Sequence, residues 1–192
     1  MAIKDKIKWN EKYTNNKSLL KRRPQSKKLL NAIKIVKGSL ALDVACGVGR
    51  NSIFLAQNGF EVEALDISSV ALEELDKSNY KNIKTKQIDL ENYCPKEDSY
   101  NLIVMTNYLD RKLIEKLYKA LKKDGILFIE TYMFHKENEK PPSNPNFLLK
   151  ENELKTFFKE EGIILDYEEF FNEPFEMYKM RKQAIIIKKS NN

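Results

Sequence analysis

Apolar residues are distributed along the chain in two alternating patterns, which predict strands and helices in turn. Short apolar runs bounded by turn residues indicate β-strands at 40–45, 62–65, 83–88, 100–106 and 126–132. Between the runs, apolar residues recur every three or four positions. This spacing predicts a helix through 53–55 that ends near Gly59 and others at 25–37, 70–75 and 110–121. Strands that alternate with helices in this way indicate an α/β sheet.

The apolar patterns also indicate how the sheet is arranged. The run at 100–106 is almost entirely apolar, as expected of a strand that is buried on both faces of a parallel sheet. A helix at 151–161 and two strands at 163–171 and 183–188 follow, and the connection 172–182 is short enough for an antiparallel hairpin. The predicted fold is therefore a doubly wound, seven-stranded, mostly parallel sheet with a C-terminal antiparallel hairpin.

Composition narrows the class of protein. The 192 residues, 42% of them hydrophobic, are predicted to form one domain over 1–192. No apolar stretch approaches the roughly 20 residues that a membrane-spanning helix needs, and the N-terminus lacks a secretory pattern, so we expect a cytoplasmic protein. Cys46 and Cys94 are expected as reduced thiols. One histidine and two distant cysteines cannot supply a structural zinc site, and no metal is predicted.

Charge is distributed unevenly along the chain. Residues 1–38 hold 12 Lys and Arg against 2 acidic residues, whereas the remaining residues hold 22 against 26. A basic segment of this kind can contact nucleic acid, but a helix with a solvated lysine face gives the same pattern, and we favour that interpretation. An RNA contact therefore stays open as the alternative.

A glycine-containing turn follows the first predicted strand. Gly47 and Gly49 lie between that strand and a helix, where backbone can approach a ligand. Asp66 ends the second strand 19 residues after Gly47, at a position where an acid can accept hydrogen bonds from a ribose. Position 52 is Ser instead of the third glycine of a dinucleotide site, and Asp43 would repel phosphates. These residues favour a nucleoside ligand that carries an ammonium and a sulfonium over a dinucleotide.

The chain resembles the class I S-adenosylmethionine (SAM)-dependent methyltransferases. The string Ala41-Leu42-Asp43-Val44-Ala45-Cys46-Gly47-Val48-Gly49-Arg50-Asn51 looks like their first motif, and Asp66-Ile67 and Asp89-Leu90 are similar to their nucleoside-binding positions. Within this family the chain is most similar to the small-molecule group of the tellurite-resistance and thiopurine-methyltransferase type. Asn107-Tyr108-Leu109-Asp110-Arg111, Asn144-Pro145-Asn146-Phe147-Leu148-Leu149 and Glu153-Leu154 look like further signatures of that group. The resemblance extends over about residues 9–188.

The resemblance implies SAM as the cofactor and assigns residues to it. Gly47 and Gly49 would pass beside the methionine part, and Asp43 would reach its ammonium directly or through water. Asp66 would hold the ribose hydroxyls. The implied adenine contacts and the remaining cofactor-binding positions are Asp89, which would accept from the amino group, Leu90, whose amide would donate to the ring, Ile67, which would pack on the base, and Ala45, Cys46 and Thr106. Turn capping is the alternative role for Asp43, Asp66 and Asp89.

Two positions depart from the family pattern. Ala45 stands where many members have the first glycine of the loop, and Asp110 stands where a histidine is expected in near relatives. The first departure bears on how the loop contacts the cofactor. The second leaves no assigned catalytic role for Asp110.

Two residues are candidates for a role in catalysis, although methyl transfer from a sulfonium depends mainly on orientation and desolvation. His135 follows the fifth strand and Tyr108 the fourth, both at the edge where a parallel sheet binds ligands. Either side chain could orient a nucleophile or take its proton. The alternatives are a solvated loop residue for His135 and aromatic packing for Tyr108.

Two segments are predicted to cover the site. Trp9 and Tyr13, four residues apart, can form one aromatic face of an N-terminal helix, and the proline-bearing segment 136–149 is predicted to be a lid loop. Core packing is the alternative use of the aromatic pair.

Three functional classes follow from these observations. The first is methyl transfer to a small-molecule nucleophile based on sulfur, selenium, tellurium, oxygen or nitrogen. The second is an RNA methyltransferase that uses the basic segment, although the chain has Thr106-Asn107-Tyr108-Leu109 where amino-group methylation of bases calls for an Asn-Pro-Pro-Tyr type element. The third is a SAM-binding module without turnover. No feature of the sequence predicts the oligomeric state.

Overall fold

Seven strands form a single sheet in a computed structural model that describes residues 2–173 and 176–190. The spatial order of the strands is β3-β2-β1-β4-β5-β7-β6. The strands are β1 (Leu40–Val44), β2 (Glu61–Asp66), β3 (Ile83–Gln87), β4 (Tyr100–Thr106), β5 (Leu121–Tyr132), β6 (Gly162–Phe171) and β7 (Arg181–Lys189). Strands β1 to β5 pair in parallel, whereas β7 is antiparallel to both β5 and β6. The predicted fold class is confirmed, and positions 174 and 175 of the predicted connection lie outside the described residues.

Helices cover both faces of the sheet, and each face has its own core. The helices are α1 (Ala2–Asn15), α2 (Leu29–Ile33), α3 (Arg50–Gln57), α4 (Ser69–Asp76), α5 (Arg111–Ala120) and α6 (Glu153–Phe158), with 3-10 turns at Lys17–Leu20, Leu90–Asn92 and Pro145–Phe147. Side chains of α5 and α6 pack on one face. Those of α2, α3 and α4 pack on the other, as the doubly wound arrangement requires.

The helix predicted at 25–37 is wrong in extent, because α2 spans only Leu29–Ile33. Two features of the flanking chain limit the length of this helix. Before the helix, the buried Ser26 hydroxyl donates a hydrogen bond to Glu130 of β5, which fixes the preceding turn. After the helix, Gly38 adopts a left-handed φ of 98° and turns the chain into β1. Residues 16–28, which link α1 to α2, are called the strap below.

Two other predicted boundaries also shift. Strand β5 begins at Leu121 instead of 126, because Leu121 pairs with Tyr100 before the register changes. Helix α5 begins at Arg111, one residue after the prediction, because the Asp110 side chain caps it by accepting hydrogen bonds from the amides of Lys112 at 2.9 Å and Leu113 at 3.1 Å. This capping role accounts for an aspartate at position 110. Within the described part of the chain, no helix is both long enough and apolar enough to cross a membrane.

Candidate functional site

The glycine turn lies at the carboxyl edge of the sheet between β1 and α3. Ala45, Gly47 and Gly49 all have left-handed backbone conformations, with φ of 54°, 56° and 79°. The Cys46 amide donates to the Leu65 carbonyl at 2.9 Å, which ties the turn to the end of β2. Burial and the nearby acids Asp43 and Asp66 raise the pKa of Cys46, so its thiol stays neutral. The turn is therefore a tight backbone loop set beside the end of β2.

Asp43 is the most informative side chain of this site. It is 1% exposed, and one carboxylate oxygen accepts a hydrogen bond from the Ser52 hydroxyl at 2.5 Å. The other oxygen, Oδ1, has no partner among the described residues. Burial raises the pKa of Asp43 to about 7, against the opposing effects of the Ser52 hydrogen bond and Arg50. A buried acid with one unpaired oxygen is suited to a cationic group.

Asp66 closes the other side of the turn. One of its oxygens accepts a hydrogen bond from the Gly47 amide at 2.8 Å and the other accepts from the Ser68 amide at 2.9 Å. Burial raises the pKa of Asp66, and these backbone hydrogen bonds act in the opposite direction. Asp66 also contributes to the raised pKa of Asp43, so the structure brings the two predicted acids and the glycine turn together.

The predicted adenine-contacting residues lie at the ends of β2 and β3. Asp89 caps the 3-10 turn that follows β3, because its oxygens accept from the Glu91 amide at 3.1 Å and from the Asn92 side chain at 3.2 Å. This geometry favours the capping alternative for Asp89. Leu90 is buried, and the half-buried Ile67 offers its carbonyl to the Gln87 side chain at 2.9 Å. Ile67 and the segment around Asp89 are thereby held side by side.

Helix α1 lies over the glycine turn. A Cβ atom added to Gly47 would come within 2.9 Å of the Tyr13 hydroxyl. Burial and Asp66 raise the pKa of Tyr13, which keeps its hydroxyl as a hydrogen-bond donor. Further along the helix, Asn10 accepts a hydrogen bond from the Ser68 hydroxyl at 2.8 Å, and the rings of Trp9 and Tyr13 pack at 6.1 Å. Helix α1 therefore lies against the glycine turn, and its role as a cover over a bound ligand stays a prediction.

The two catalytic candidates lie in different surroundings. Tyr108 is half-buried, and burial together with Asp110 raises its pKa, which leaves a neutral hydrogen-bond donor. Glu91 and Asp89, which follow β3, contribute further to this shift of the pKa. His135 packs edge-on against Phe171 at the end of β6, with ring centroids 5.2 Å apart. The structure does not bring His135 into contact with the glycine turn.

Thr106 ends β4 and holds the start of α3. Its hydroxyl accepts a hydrogen bond from the Asn51 side chain at 3.0 Å and lies 3.5 Å from the Arg50 guanidinium. The residue is 8% exposed. It therefore connects the end of β4 to the helix that follows the glycine turn.

A buried ion cluster near the end of β5 and the start of β7 was missed by the sequence analysis. Lys182 is fully buried, and its ammonium group lies 2.9 Å from Glu176 and 3.3 Å from Glu130. Burial alone would raise the pKa of Glu176, but Lys182 lowers it. Glu130 also accepts from Ser26, which joins the strap to the cluster. A charged residue directly after the apolar run 126–129 was the available signal.

A second ion pair connects the two group signatures. The Arg111 guanidinium binds the Glu153 carboxylate through two nitrogens, at 2.6 Å and 3.1 Å. It also donates to the carbonyls of Asn146 at 2.8 Å and Leu148 at 3.1 Å. One arginine thus fixes the end of the predicted lid loop 136–149 against α5 and α6. Among the described residues, no group of three or more His, Cys, Asp and Glu side chains could hold a metal ion.

The amino-acid sequence of the chain is similar to that of one known protein family. Residues 2–188 match the family model described as tellurite resistance protein TehB. A relative named probable S-adenosyl-L-methionine-dependent methyltransferase TehB, from Haemophilus influenzae, is 30% identical over 156 residues, which are 76% of this chain and 53% of the relative. The chain thus spans about half the length of this curated relative.

Solved structures of other proteins have the same fold as this chain. The crystal structure of TehB from Haemophilus influenzae is similar with a TM-score of 0.76 and 25% identity, covering 96% of this chain and 67% of that one. A SAM-dependent methyltransferase from Methanosarcina mazei shares the fold with a TM-score of 0.68 at 17% identity, covering 87% and 99% of the two chains. The Rossmann-like methyltransferase fold is therefore confirmed.

Proposed function

Because the chain belongs to the tellurite resistance protein TehB family, we propose that it is a SAM-dependent methyltransferase that acts on a small-molecule nucleophile. The observation that carries the proposal is the unpaired, buried Oδ1 atom of Asp43 beside a left-handed glycine turn. A buried carboxylate repels the phosphates of a dinucleotide and attracts an ammonium group. The donor set therefore fits SAM.

The remaining proposed contacts follow from the geometry around the turn. Asp66 already accepts two backbone amides, but each carboxylate oxygen has a second lone pair with which it can accept from a ribose hydroxyl. For Gly47 and Gly49 we propose that the backbone passes beside the methionine part; neither position has room for a side chain, because a Cβ atom would meet the Tyr13 hydroxyl at Gly47 and the Leu75 side chain at Gly49. For the adenine side and the rim of the site we propose Ile67, Asp89, Leu90, Ala45, Cys46 and Thr106, with Asp89 also serving as a cap.

Catalysis in this site would depend on orientation and exclusion of water. Bound SAM supplies a methyl group that is already activated by its sulfonium. Helix α1 covers the turn, so we propose that it keeps water from the reacting groups. Tyr108, a neutral donor with a raised pKa, would orient the acceptor and not act as a base. His135 stays the candidate for taking a proton.

The family description suggests which acceptors to test first. It names tellurite resistance, and we propose that the acceptor is a small oxyanion or a thiol-like soft nucleophile. None of the named relatives supports an RNA substrate. In the basic segment, Lys27 and Lys28 form ion pairs with Glu173 and Glu168, so part of its charge is used within the protein.

Methyl-transfer assays with labelled SAM test the proposal. Tellurite, selenite, small thiols, small amines and total RNA would be offered in parallel. We expect label in a small-molecule product, with rates lowered roughly 10- to 100-fold in His135→Ala and Tyr108→Phe, within the range of a positioned acid or base. Transfer to RNA alone would contradict the proposal, as would SAM binding without transfer to any member of the panel.

A further inference from the structure

A pocket of about 150 Å³ lies between the strap and the outer face of α3. Its polar lining consists of Arg22, Arg23 and Gln25 from the strap and Arg50 and Gln57 from α3. Its volume is roughly ten times the ~10–15 Å³ that a single water needs. A small polyatomic ion therefore fits inside it.

The pocket is separate from the site around Asp43. Positions 50, 53, 54 and 57 recur at helical spacing and face the pocket, whereas the adjacent residues of α3 are buried against the sheet. Ser52, on the buried side, is the residue that bonds Asp43. Most of the helix thus stands between the pocket and the proposed cofactor site, and Arg50 in its first turn lines the pocket while also lying 3.5 Å from Thr106 and acting on Asp43.

The type of cation in the lining is informative. The chain has only five arginines but 29 lysines, and three of the five arginines line this one pocket. The other two, Arg111 and Arg181, form ion pairs with Glu153 and Glu169. In a chain that otherwise uses lysine, arginines at one pocket indicate that the planar, forked donor matters there, as it does for oxyanions.

Among the described residues, Arg22, Arg23 and Arg50 form no ion pair, although Arg50 lowers the pKa of the buried Asp43 carboxyl against the effect of burial. Arg22 donates to the Glu74 carbonyl at 3.5 Å, and Arg50 lies 3.5 Å from the Thr106 hydroxyl, so both partners are neutral. Arg50 adds to the lowering of the pKa of Glu176, against the effect of burial, but Lys182 already binds that carboxylate. In the described portion of the chain, no acidic side chain lines the pocket.

We propose that this pocket binds a small multivalent oxyanion of the phosphate or sulfate class, held by Arg22, Arg23 and Arg50. Gln25 and Gln57 add amide donors for the remaining oxygens. The ligand would bridge the strap and α3, which gives part of the basic N-terminal segment a specific role. The group could be a free ion or a phosphate of RNA, and the pocket size favours the free ion.

Titration with inorganic phosphate in the absence of SAM tests this site, with chloride at equal ionic strength as the reference. The test variant is Arg22→Lys with Arg23→Lys, which keeps the charge and removes two forks. The matched control is Lys17→Gln with Lys21→Gln, which removes two charges from the same strap. We expect the phosphate Kd to rise roughly tenfold in the first variant and to change little in the second.

Several results would overturn the proposal. Phosphate that binds no better than chloride would contradict it, as would an Arg-to-Lys variant that binds phosphate as well as the wild type does. Equal loss in both variants would show a general charge effect. A single-stranded RNA that binds more tightly than phosphate, with a steep salt dependence that is unchanged in the Arg-to-Lys variant, would also overturn the site. Because SAM is absent, none of these results depends on the proposed methyl transfer.

Discussion

The carboxyl edge of the sheet has two halves that are held together by different interactions. In the loop half, at the ends of β1, β2 and β3, backbone amides of the turn and of Ser68 bind Asp66. In the ion-pair half, at the ends of β4 and β5 and the start of β7, side chains far apart in sequence bind one another, such as Lys182 with Glu130 and Arg111 with Glu153. The loop half depends on local sequence, and the ion-pair half depends on the completed fold.

The loop half therefore contains a preformed ligand site, whereas the ion pairs of the other half connect separate segments of the chain. The loop half keeps an unpaired buried oxygen on Asp43, which is tolerable if a ligand completes it. The ion-pair half also has one buried unpaired atom, Nε of Arg181, but its ion pairs connect the strap, the lid loop and the C-terminal hairpin. We therefore expect changes in the two halves to affect different properties of the protein.

The largest expected effect on folding comes from Lys182→Met. The substitution leaves Glu130 and Glu176 as buried carboxylates without a cation, and breaking a buried pair in this way costs about 3–5 kcal/mol. Lys188→Met on the same strand is the control, since its pair with Asp124 is partly exposed and should contribute under about 1 kcal/mol. Urea unfolding of both variants measures the difference. Equal losses of unfolding free energy in the two variants would show that the buried cluster stabilises the fold no more than the exposed pair does.

A smaller effect is expected from Arg111→Gln. The variant loses the two-nitrogen contact with Glu153 and the two carbonyl contacts of the lid loop, and we expect a loss of about 1–2 kcal/mol. Lys112→Gln makes the same change in charge at an exposed neighbour. Urea unfolding measures the cost, and limited proteolysis should show faster cleavage within 136–149 only in Arg111→Gln. Cleavage at the wild-type rate would mean that Arg111 does not hold the loop.

The smallest effect is a gain in stability from Ala45→Gly in the loop half. Ala45 has a φ of 54°, whereas the other non-glycine residues with left-handed φ in the described chain are all Asn or Asp. Relief of this backbone strain, less the entropy of a glycine, should stabilise the fold by about 0.5–1 kcal/mol. Ala56→Gly inside α3 should instead destabilise it by about 1 kcal/mol. Thermal melting measures the stability of both variants. A loss of stability in Ala45→Gly would show that the backbone at Ala45 is not strained.

The sequence predicts most of the loop half because its determinants are local. The glycine spacing, Asp43 and Asp66 lie within one strand-turn-helix-strand segment, and the structure brings them together. The sequence does not predict the ion-pair half, because Ser26 meets Glu130 across 104 residues and nothing in their neighbourhoods marks the pairing. The extent of α2 was missed for the same reason. His135 was placed at the correct edge, but its ring packs on Phe171, a contact that depends on the position of β6.

Calorimetric titration with SAM and with NAD, on the wild type and on Asp43→Asn, tests the central claim that the loop half is a SAM site. The pKa of Asp43 near 7 means that the free protein binds a proton there at lower pH, and this proton must leave before the carboxylate can pair with an ammonium group. We predict micromolar SAM binding at pH 8 that weakens by up to roughly tenfold per pH unit below about 7. Asp43→Asn can still accept from Ser52, so it should fold but lose both the affinity and its pH dependence. Binding of NAD in place of SAM, or equal SAM affinity in Asp43→Asn, would contradict the account.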